Sequence, residues 1–164
     1  MDFDKSKREK ILNVVLCALV KDGKILLIKR VKDPYKGHWS LVGGKMEFGE
    51  FVEETAVREF YEETGIRASF DRLAGIASEI VFDKGEKTNH FLLFVSKLKS
   101  ESSEFSIGHE GELKWFDLKN LDKSIMIPSD YIMVKEYVLK DNPVKIHKIR
   151  MKQDGEKYSI EEFS

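Results

Sequence analysis

The chain has 164 residues, of which 41 % are hydrophobic and 35 % charged, with a formal net charge of −1. That is enough apolar material for one domain with a full core, and it excludes a disordered polyelectrolyte. A charge this close to neutral excludes a global basic field that would recruit a nucleic-acid polymer. A single cysteine, Cys17, excludes a disulfide within the chain and, lying in an apolar run, reads as a buried thiol in a reducing compartment. The longest apolar run, residues 14–20, is too short to span a membrane, and the charged N-terminus lacks a signal-peptide core. The expectation is a cytoplasmic protein that does not engage a membrane.

Residues 1–10 form a polar segment with little to order it. Residues 11–20 and 25–29 are β-branched apolar runs on either side of Asp22-Gly23, a pair that predicts a hairpin. Arg30 follows at the strand end. Residues 31–40 read as a loop broken by Asp33-Pro34 and Gly37, and Trp39 leads into the Gly43-Gly44 pair. A helical stretch lies inside residues 43–66. Residues 68–73, 75–82 and 90–98 read as strands, with a turn at 83–87. His90 has no second histidine at ligand spacing and reads as an exposed or hydrogen-bonded residue. An acidic stretch, His109-Glu110-Gly111-Glu112, precedes a strand at 113–116. Pro128-Ser129-Asp130 predicts a helix running to Leu139, with Asp130 as its cap, and Asp141-Asn142-Pro143 ends it. Residues 144–151 and 158–163 flank Asp154-Gly155, which predicts a C-terminal hairpin. The chain divides into a polar segment (1–10), a main domain (11–142) and a hairpin extension packed on that domain (143–164).

The helix inside 43–66 carries an anomaly. Val52, Ala56 and Phe60 recur every four residues and form an apolar stripe, and Gly65 is placed to end the helix in the left-handed region. At about 100° per residue, with Glu59 set at zero, Val52 falls near ~20°, Glu63 near ~40°, Ala56 near ~60° and Phe60 near ~100°. Glu62 lies about 60° to the other side. Glu59 and Glu63 therefore share the sector that the apolar residues bury. Unpaired buried carboxylates are costly, so this sector calls for a cation. Clustered carboxylate oxygens suit a hard ion such as Mg²⁺, and the adjacent Arg58 can hold one of them by a charge-assisted hydrogen bond.

The full spacing is Gly44, five residues, Glu50, seven residues, Arg58-Glu59-Phe60, one residue, Glu62-Glu63, one residue, Gly65-Ile66. This resembles the Nudix box at every defined position. The resemblance implies an α/β fold, a Nudix-type α/β/α sandwich with a mixed β-sheet. It implies a pyrophosphohydrolase using Mg²⁺, with Mn²⁺ able to substitute, and a small-molecule nucleotide substrate. By position, Glu59, Glu62 and Glu63 resemble the metal-binding carboxylates, with the Gly43 carbonyl as a further ligand. Glu59 or a neighbour resembles the group that activates water, Arg58 the residue that orients Glu59, and Glu50 the accessory carboxylate. Glu110, in preference to Glu112, resembles one more carboxylate facing the metal cleft.

Three residues keep two readings each. Arg30 either reaches the nucleotide or is an exposed strand-end charge. Lys45 either meets a phosphate or is solvated. Asp130 either reads a base edge or serves only as a helix cap. Val42 stands where the family commonly has proline, a departure expected to loosen the loop presenting Gly43. No proline occurs between the box and Pro128, whereas ADP-ribose hydrolases often carry one some fifteen residues beyond the box. This favours a MutT-like nucleoside triphosphate substrate, oxidised or not, yielding monophosphate and pyrophosphate. ADP-ribose or a dinucleotide is the alternative substrate, and an inert nucleotide-sensing domain the alternative function. The C-terminal hairpin is expected either to mediate a homodimer or to shield a sheet edge.

Overall fold

The segment Leu12–Lys21 is apolar almost without interruption because both of its faces are buried. Val15, Cys17 and Leu19 point into one core, whereas Leu16 and Ala18 point into another. Side chains of a strand alternate between faces, so a strand with a core on each side reads as a continuous apolar run. The computed structural model describes residues 10–106, 110–140, 142, 144 and 146–164. Its elements in chain order are β1 (Leu12–Lys21), β2 (Lys24–Lys29), β3 (Trp39–Lys45), α1 (Val52–Thr64), β4 (Ser69–Asp83), β5 (Glu86–Lys99) and β6 (Leu113–Asp117), followed by α2 (Pro128–Met133), β7 (Ile146–Asp154) and β8 (Lys157–Phe163).

The strands form one sheet in the order β6-β2-β3-β1-β5-β4-β7-β8, with β2 also pairing with the end of β1. The sheet is mixed: β1 runs parallel to β5 and β4 parallel to β7, and the other pairs are antiparallel. Helix α1 covers one face through Ala56 and Phe60, against Val15, Cys17, Leu19, Leu26 and Val42. Helix α2 and the turn after it cover the other face through Met133, Val134, Tyr137 and Val138. This is the α/β/α sandwich with a mixed sheet that the box implied. Cys17 is fully buried beneath α1, with its Sγ 3.5 Å from the Ala56 carbonyl oxygen, and burial drives its pKa upward.

Local chemistry sets the turns. Asp22 and Gly23 both have positive φ, 50° and 74°, as do Lys84 and Gly85, 49° and 81°. Two successive positive φ values define the hairpin turn whose twist matches the flanking strands. Helix α1 starts with the Phe51 N–H donating to Glu54 Oε2 at 2.8 Å, and it ends at Gly65, φ 72°, whose N–H bonds the Tyr61 carbonyl at 2.8 Å.

Several elements depart from the sequence reading. The strands expected at 68–73 and 75–82 are one strand, β4, whose pairing with β5 shifts register on either side, at Phe70/Arg72 and Leu73/Gly75. Gly75 is not a break: a Cβ there would meet the Tyr137 ring at 2.5 Å, so it admits an aromatic side chain against the strand. The glycine pair lies within β3, paired with Leu16 and Val15 of β1, and is not a loop. Val42 is accordingly a buried strand residue, and the loosened loop expected from it does not form. The helix expected to reach Leu139 is α-helical only to Met133 and continues as a π-wound turn, Val134–Leu139. Asp130 is not its cap; Ile127 occupies that position, without a side-chain cap. The expectations for residues 1–9, His109, Asp141 and Pro143 lie outside the described residues.

Candidate active site

The acidic end of the site is built on α1. Phe60 and Ala56 are fully buried, and Glu63, about one turn beyond Phe60 and two beyond Ala56, is only 7 % exposed. Glu59 is half-buried and Glu62 exposed, as the wheel arithmetic requires. The glycine pair explains how β3 fits beneath these carboxylates. A Cβ on Gly44 would stand 2.2 Å from the Glu59 carboxyl carbon, and one on Gly43 would stand 2.0 Å from the Val15 carbonyl oxygen. Both positions are glycine because of close approach. The Gly43 N–H donates to Glu63 Oε2 at 3.2 Å. In an extended strand a residue's N–H and C=O leave on the same side. The Gly43 carbonyl therefore faces the same side as Glu63.

Arg58 organises the rest. Its guanidinium grips Glu50 with two parallel bonds, Nε to Oε1 at 2.5 Å and Nη2 to Oε2 at 2.9 Å. Nη1 donates to Glu59 Oε1 at 2.8 Å and Glu62 Oε2 at 3.3 Å, and Nη2 donates to the Lys45 carbonyl at 3.2 Å. All five guanidinium donors are thus engaged. Glu50 is held from behind by the Thr55 hydroxyl at 2.8 Å and the Glu47 N–H at 3.0 Å. The hydrogen bonds from Arg58, then from Glu47, push its carboxyl down to about 2. Glu50 is ionised throughout the neutral range and serves as the anchor of Arg58.

The two deeper carboxyls behave oppositely. Burial raises Glu59; Arg58 pulls it back, while Glu62 and Glu110 repel it. Burial pushes Glu63 up to about 8, with the Gly43 N–H opposing and Glu110 and Glu59 adding repulsion. A crowded set of hard oxygen donors that resists ionisation is the chemistry that a divalent cation relieves, so the residues fit Mg²⁺ or Mn²⁺. Among the described residues, no three acidic, histidine or cysteine side chains converge on one point. Arg58 draws Glu59 and Glu62 to itself, so coordination by all three glutamates requires their side chains to turn.

Arg58, Glu59, Glu62 and Glu63 line a cleft of about 660 Å³. Glu110, Lys45 and Arg30 also line it, whereas Glu112 does not; the Glu112 main chain bonds the Lys29 N–H outside it. The Lys45 side chain is exposed at the rim. Arg30 is part-buried and donates from Nε to the Pro34 carbonyl at 2.9 Å. Asp130 also lines the cleft and is 4 % exposed; its Oδ2 accepts the Leu41 N–H at 2.8 Å, and burial raises its carboxyl to about 7. Tyr35 and Glu79 also line the cleft, and neither is among the site residues expected from the sequence. The signal was present for Glu79: it stands between Ala77 and Val81 on the buried face of β4, where alternation calls for an apolar residue. His90 bonds the Ser78 hydroxyl at 3.1 Å and takes no part in the cleft.

An α/β/α sandwich that sets a carboxylate-rich helix beside a strand glycine pair is the arrangement the box implied. The sequence model of the NUDIX domain matches residues 10–137, so the chain belongs to the Nudix hydrolase family. An uncharacterized Nudix hydrolase of Bacillus subtilis, YvcI, is 34 % identical over 118 residues, 71 % of this chain and 73 % of that protein. An ADP-ribose pyrophosphatase of Methanocaldococcus jannaschii is 41 % identical over 104 residues, 63 % of this chain. That match spans 60 % of the Methanocaldococcus protein, less than two thirds of its length. Among solved structures, a MutT protein from Bacillus halodurans superposes with a TM-score of 0.74 at 27 % identity, covering 94 % of this chain and 97 % of that one. The chain is a Nudix hydrolase, an enzyme of the pyrophosphohydrolase type. Among the described residues, no helix is long and apolar enough to cross a membrane.

Proposed function

We propose that this enzyme hydrolyses a nucleoside triphosphate, oxidised or not, to the monophosphate and pyrophosphate, in the cytosol and with Mg²⁺ or Mn²⁺. The observation that carries the reading is one cleft whose lining joins Glu59, Glu62, Glu63, Gly43 and Glu110 to Asp130, Tyr35 and apolar side chains such as Leu41 and Ile127. The carboxylates suit a phosphate chain with its cation, and the mixed apolar and polar lining suits a base. Glu59, Glu62, Glu63, the Gly43 carbonyl and Glu110 would hold the metal. When bound, the ion neutralises charge on the phosphates and polarises the bond that breaks.

The protein's own residues supply the rest. Arg58, fixed by Glu50, holds the Glu59 carboxylate beside Gly44. Glu59 accepts the proton as water attacks phosphorus; its burial raises its basicity toward the useful range. Lys45 and Arg30 meet the phosphate chain, and Asp130 takes the base. Residues 11–142 form the catalytic unit, with 143–164 packed on it.

A second reading, hydrolysis of ADP-ribose, is favoured by the name of the Methanocaldococcus relative. A nucleotide panel containing the triphosphates, ADP-ribose and dinucleoside polyphosphates separates the two. It is run with Mg²⁺, with Mn²⁺ and with a chelator, and the products are identified. Triphosphate turnover with release of pyrophosphate, abolished by chelator, is the expected result. Preferential cleavage of ADP-ribose to AMP and ribose phosphate would replace the first reading with the second. No metal-dependent turnover on any member would contradict both.

A further inference from the structure

Part of the cleft's lining is a single loop: residues 30–35, between β2 and β3, line it without interruption. The loop is closed on itself. The Arg30 N–H donates to the His38 carbonyl at 2.9 Å, and the Gly37 N–H donates to the Arg30 carbonyl at 2.8 Å. Arg30 Nε ties the far side through the Pro34 carbonyl at 2.9 Å. These bonds set the shape of the loop. They do not set where the loop stands over the sheet, because each joins the loop to its own residues.

Tyr35 sets that position. Val31, Lys32 and Asp33 are exposed, whereas Tyr35 is buried. Its φ is 71°, a conformation that a tyrosine keeps only where its surroundings enforce it. Two bonds from distant strands do so. The Tyr35 hydroxyl donates to Glu79 Oε1 of β4 at 2.6 Å, and the Tyr35 N–H donates to the Tyr158 hydroxyl of β8 at 3.2 Å. The Tyr158 ring also packs on the loop at two points, 4.5 Å from the Tyr35 ring and 5.5 Å, edge-on, from the His38 ring.

Tyr158 is itself firmly placed. It pairs with Gln153 of β7, which runs parallel to β4, and its side chain packs against the core beside Ile160 and Phe163. No described residue of the C-terminal hairpin lines the cleft. The hairpin reaches the cleft at one remove, by fixing the residue on which the loop turns. Phenylalanine at 158 would keep the ring contacts and leave the buried Tyr35 N–H without this acceptor.

We propose that Tyr158 is a positioning residue for substrate binding: through it the C-terminal hairpin holds the loop from which Arg30 and its neighbours meet the nucleotide. This rests on the nucleotide reading of the cleft. The carboxylates of α1 belong to a different element, so loosening the loop acts on binding and leaves the chemical step alone. The test compares the full-length wild type with Tyr158→Phe and with Ile160→Ala, which trims core packing on the same strand but keeps the Tyr158 hydroxyl. KM and kcat are measured with Mg²⁺ on GTP, ATP and ADP-ribose, beside amide hydrogen exchange of residues 31–38 without nucleotide.

Tyr158→Phe should raise KM for the cleaved nucleotide severalfold, the range of one hydrogen bond, with kcat nearly unchanged. Exchange in the loop should quicken. Ile160→Ala should lower Tm and leave KM at the wild-type value. A wild-type KM in Tyr158→Phe overturns the proposal, as does an equal rise in Ile160→Ala, which would mark general destabilisation. If the wild type cleaves none of the three nucleotides, the reading beneath the proposal fails. Loop exchange, which needs no substrate, then judges Tyr158 by itself: faster exchange in Tyr158→Phe upholds its hold on the loop, and unchanged exchange overturns it.

Discussion

Replacing Glu63 by glutamine should stabilise the metal-free protein at alkaline pH and cease to do so in acid. Glu63 is 7 % exposed, and its carboxyl is pushed from 4.5 up to about 8, first by burial and then by the charges of Glu110 and Glu59. The folded state therefore holds the proton more tightly than the unfolded chain. Between those two pH values the native protein binds more protons, so stability falls as pH rises. Below about pH 4.5 the group is neutral in both states and imposes no penalty. Above about pH 8 the penalty is complete, on the order of 5 kcal/mol at about 1.4 kcal/mol per pKa unit, and roughly 3 kcal/mol of it is present at pH 7. Glutamine keeps the shape and an acceptor for the Gly43 N–H but cannot ionise. For a chain of this size the pH 8 difference corresponds to about 10 °C or more in Tm. Urea denaturation of both proteins in chelator, from pH 5 to pH 9, reads it directly. A wild-type deficit that opens with pH is expected. A difference that stays flat across the range would refute the reasoning about this carboxyl.

Gly44→Ala should leave the fold intact but lower kcat at least about tenfold, because the new Cβ falls 2.2 Å from the Glu59 carboxyl carbon and the flexible side chain must move away; steady-state turnover at an unchanged Tm checks this, and wild-type kcat would count against it. Glu59→Gln should fold normally and lose most of its kcat, with the loss in kcat rather than KM if the group acts in the transition state; near-wild-type turnover at saturating Mg²⁺ would remove its assignment. Deleting residues 144–164 should lower stability by several kcal/mol, since Ile149 and Met151 are buried and each such side chain is worth roughly 1.5–3 kcal/mol. Thermal unfolding measures the loss, sedimentation reports whether the hairpin also joins two copies, and an unchanged Tm would show that the hairpin carries no packing energy.

Much of the site was legible in residue spacing because a helix converts spacing into direction. The positions of Val52, Ala56, Phe60, Glu59 and Glu63 put two carboxylates into a buried sector, and they are buried or half-buried there. Asp-Gly at 22–23 and Gly65 were legible because their backbone angles need those residues. What spacing did not convey is contact between distant segments. Glu79, Tyr35 and Tyr158 come from three parts of the chain, and only the sheet order brings them together. Asp130 looked like a cap because caps are local; its partner, Leu41, is 89 residues away. Gly75 looked like a strand break because the Tyr137 ring that fills its space lies on another element.

In the proposed mechanism the carboxylates of α1 hold a divalent cation. The most direct measurement of this is Tm against Mg²⁺ concentration, at matched ionic strength, for the wild type and the Glu62→Gln/Glu63→Gln double variant. Binding to the folded state alone adds about 2.7 kcal/mol of stability at a hundredfold excess over Kd. The wild type should climb steadily with the logarithm of Mg²⁺ concentration, and less steeply at low pH, where protons compete for the carboxylates. The double variant, relieved of repulsion, should begin at or above the wild-type Tm without metal and respond much less to it. Equal responses from the two proteins would contradict the account, because the ion would then be bound elsewhere.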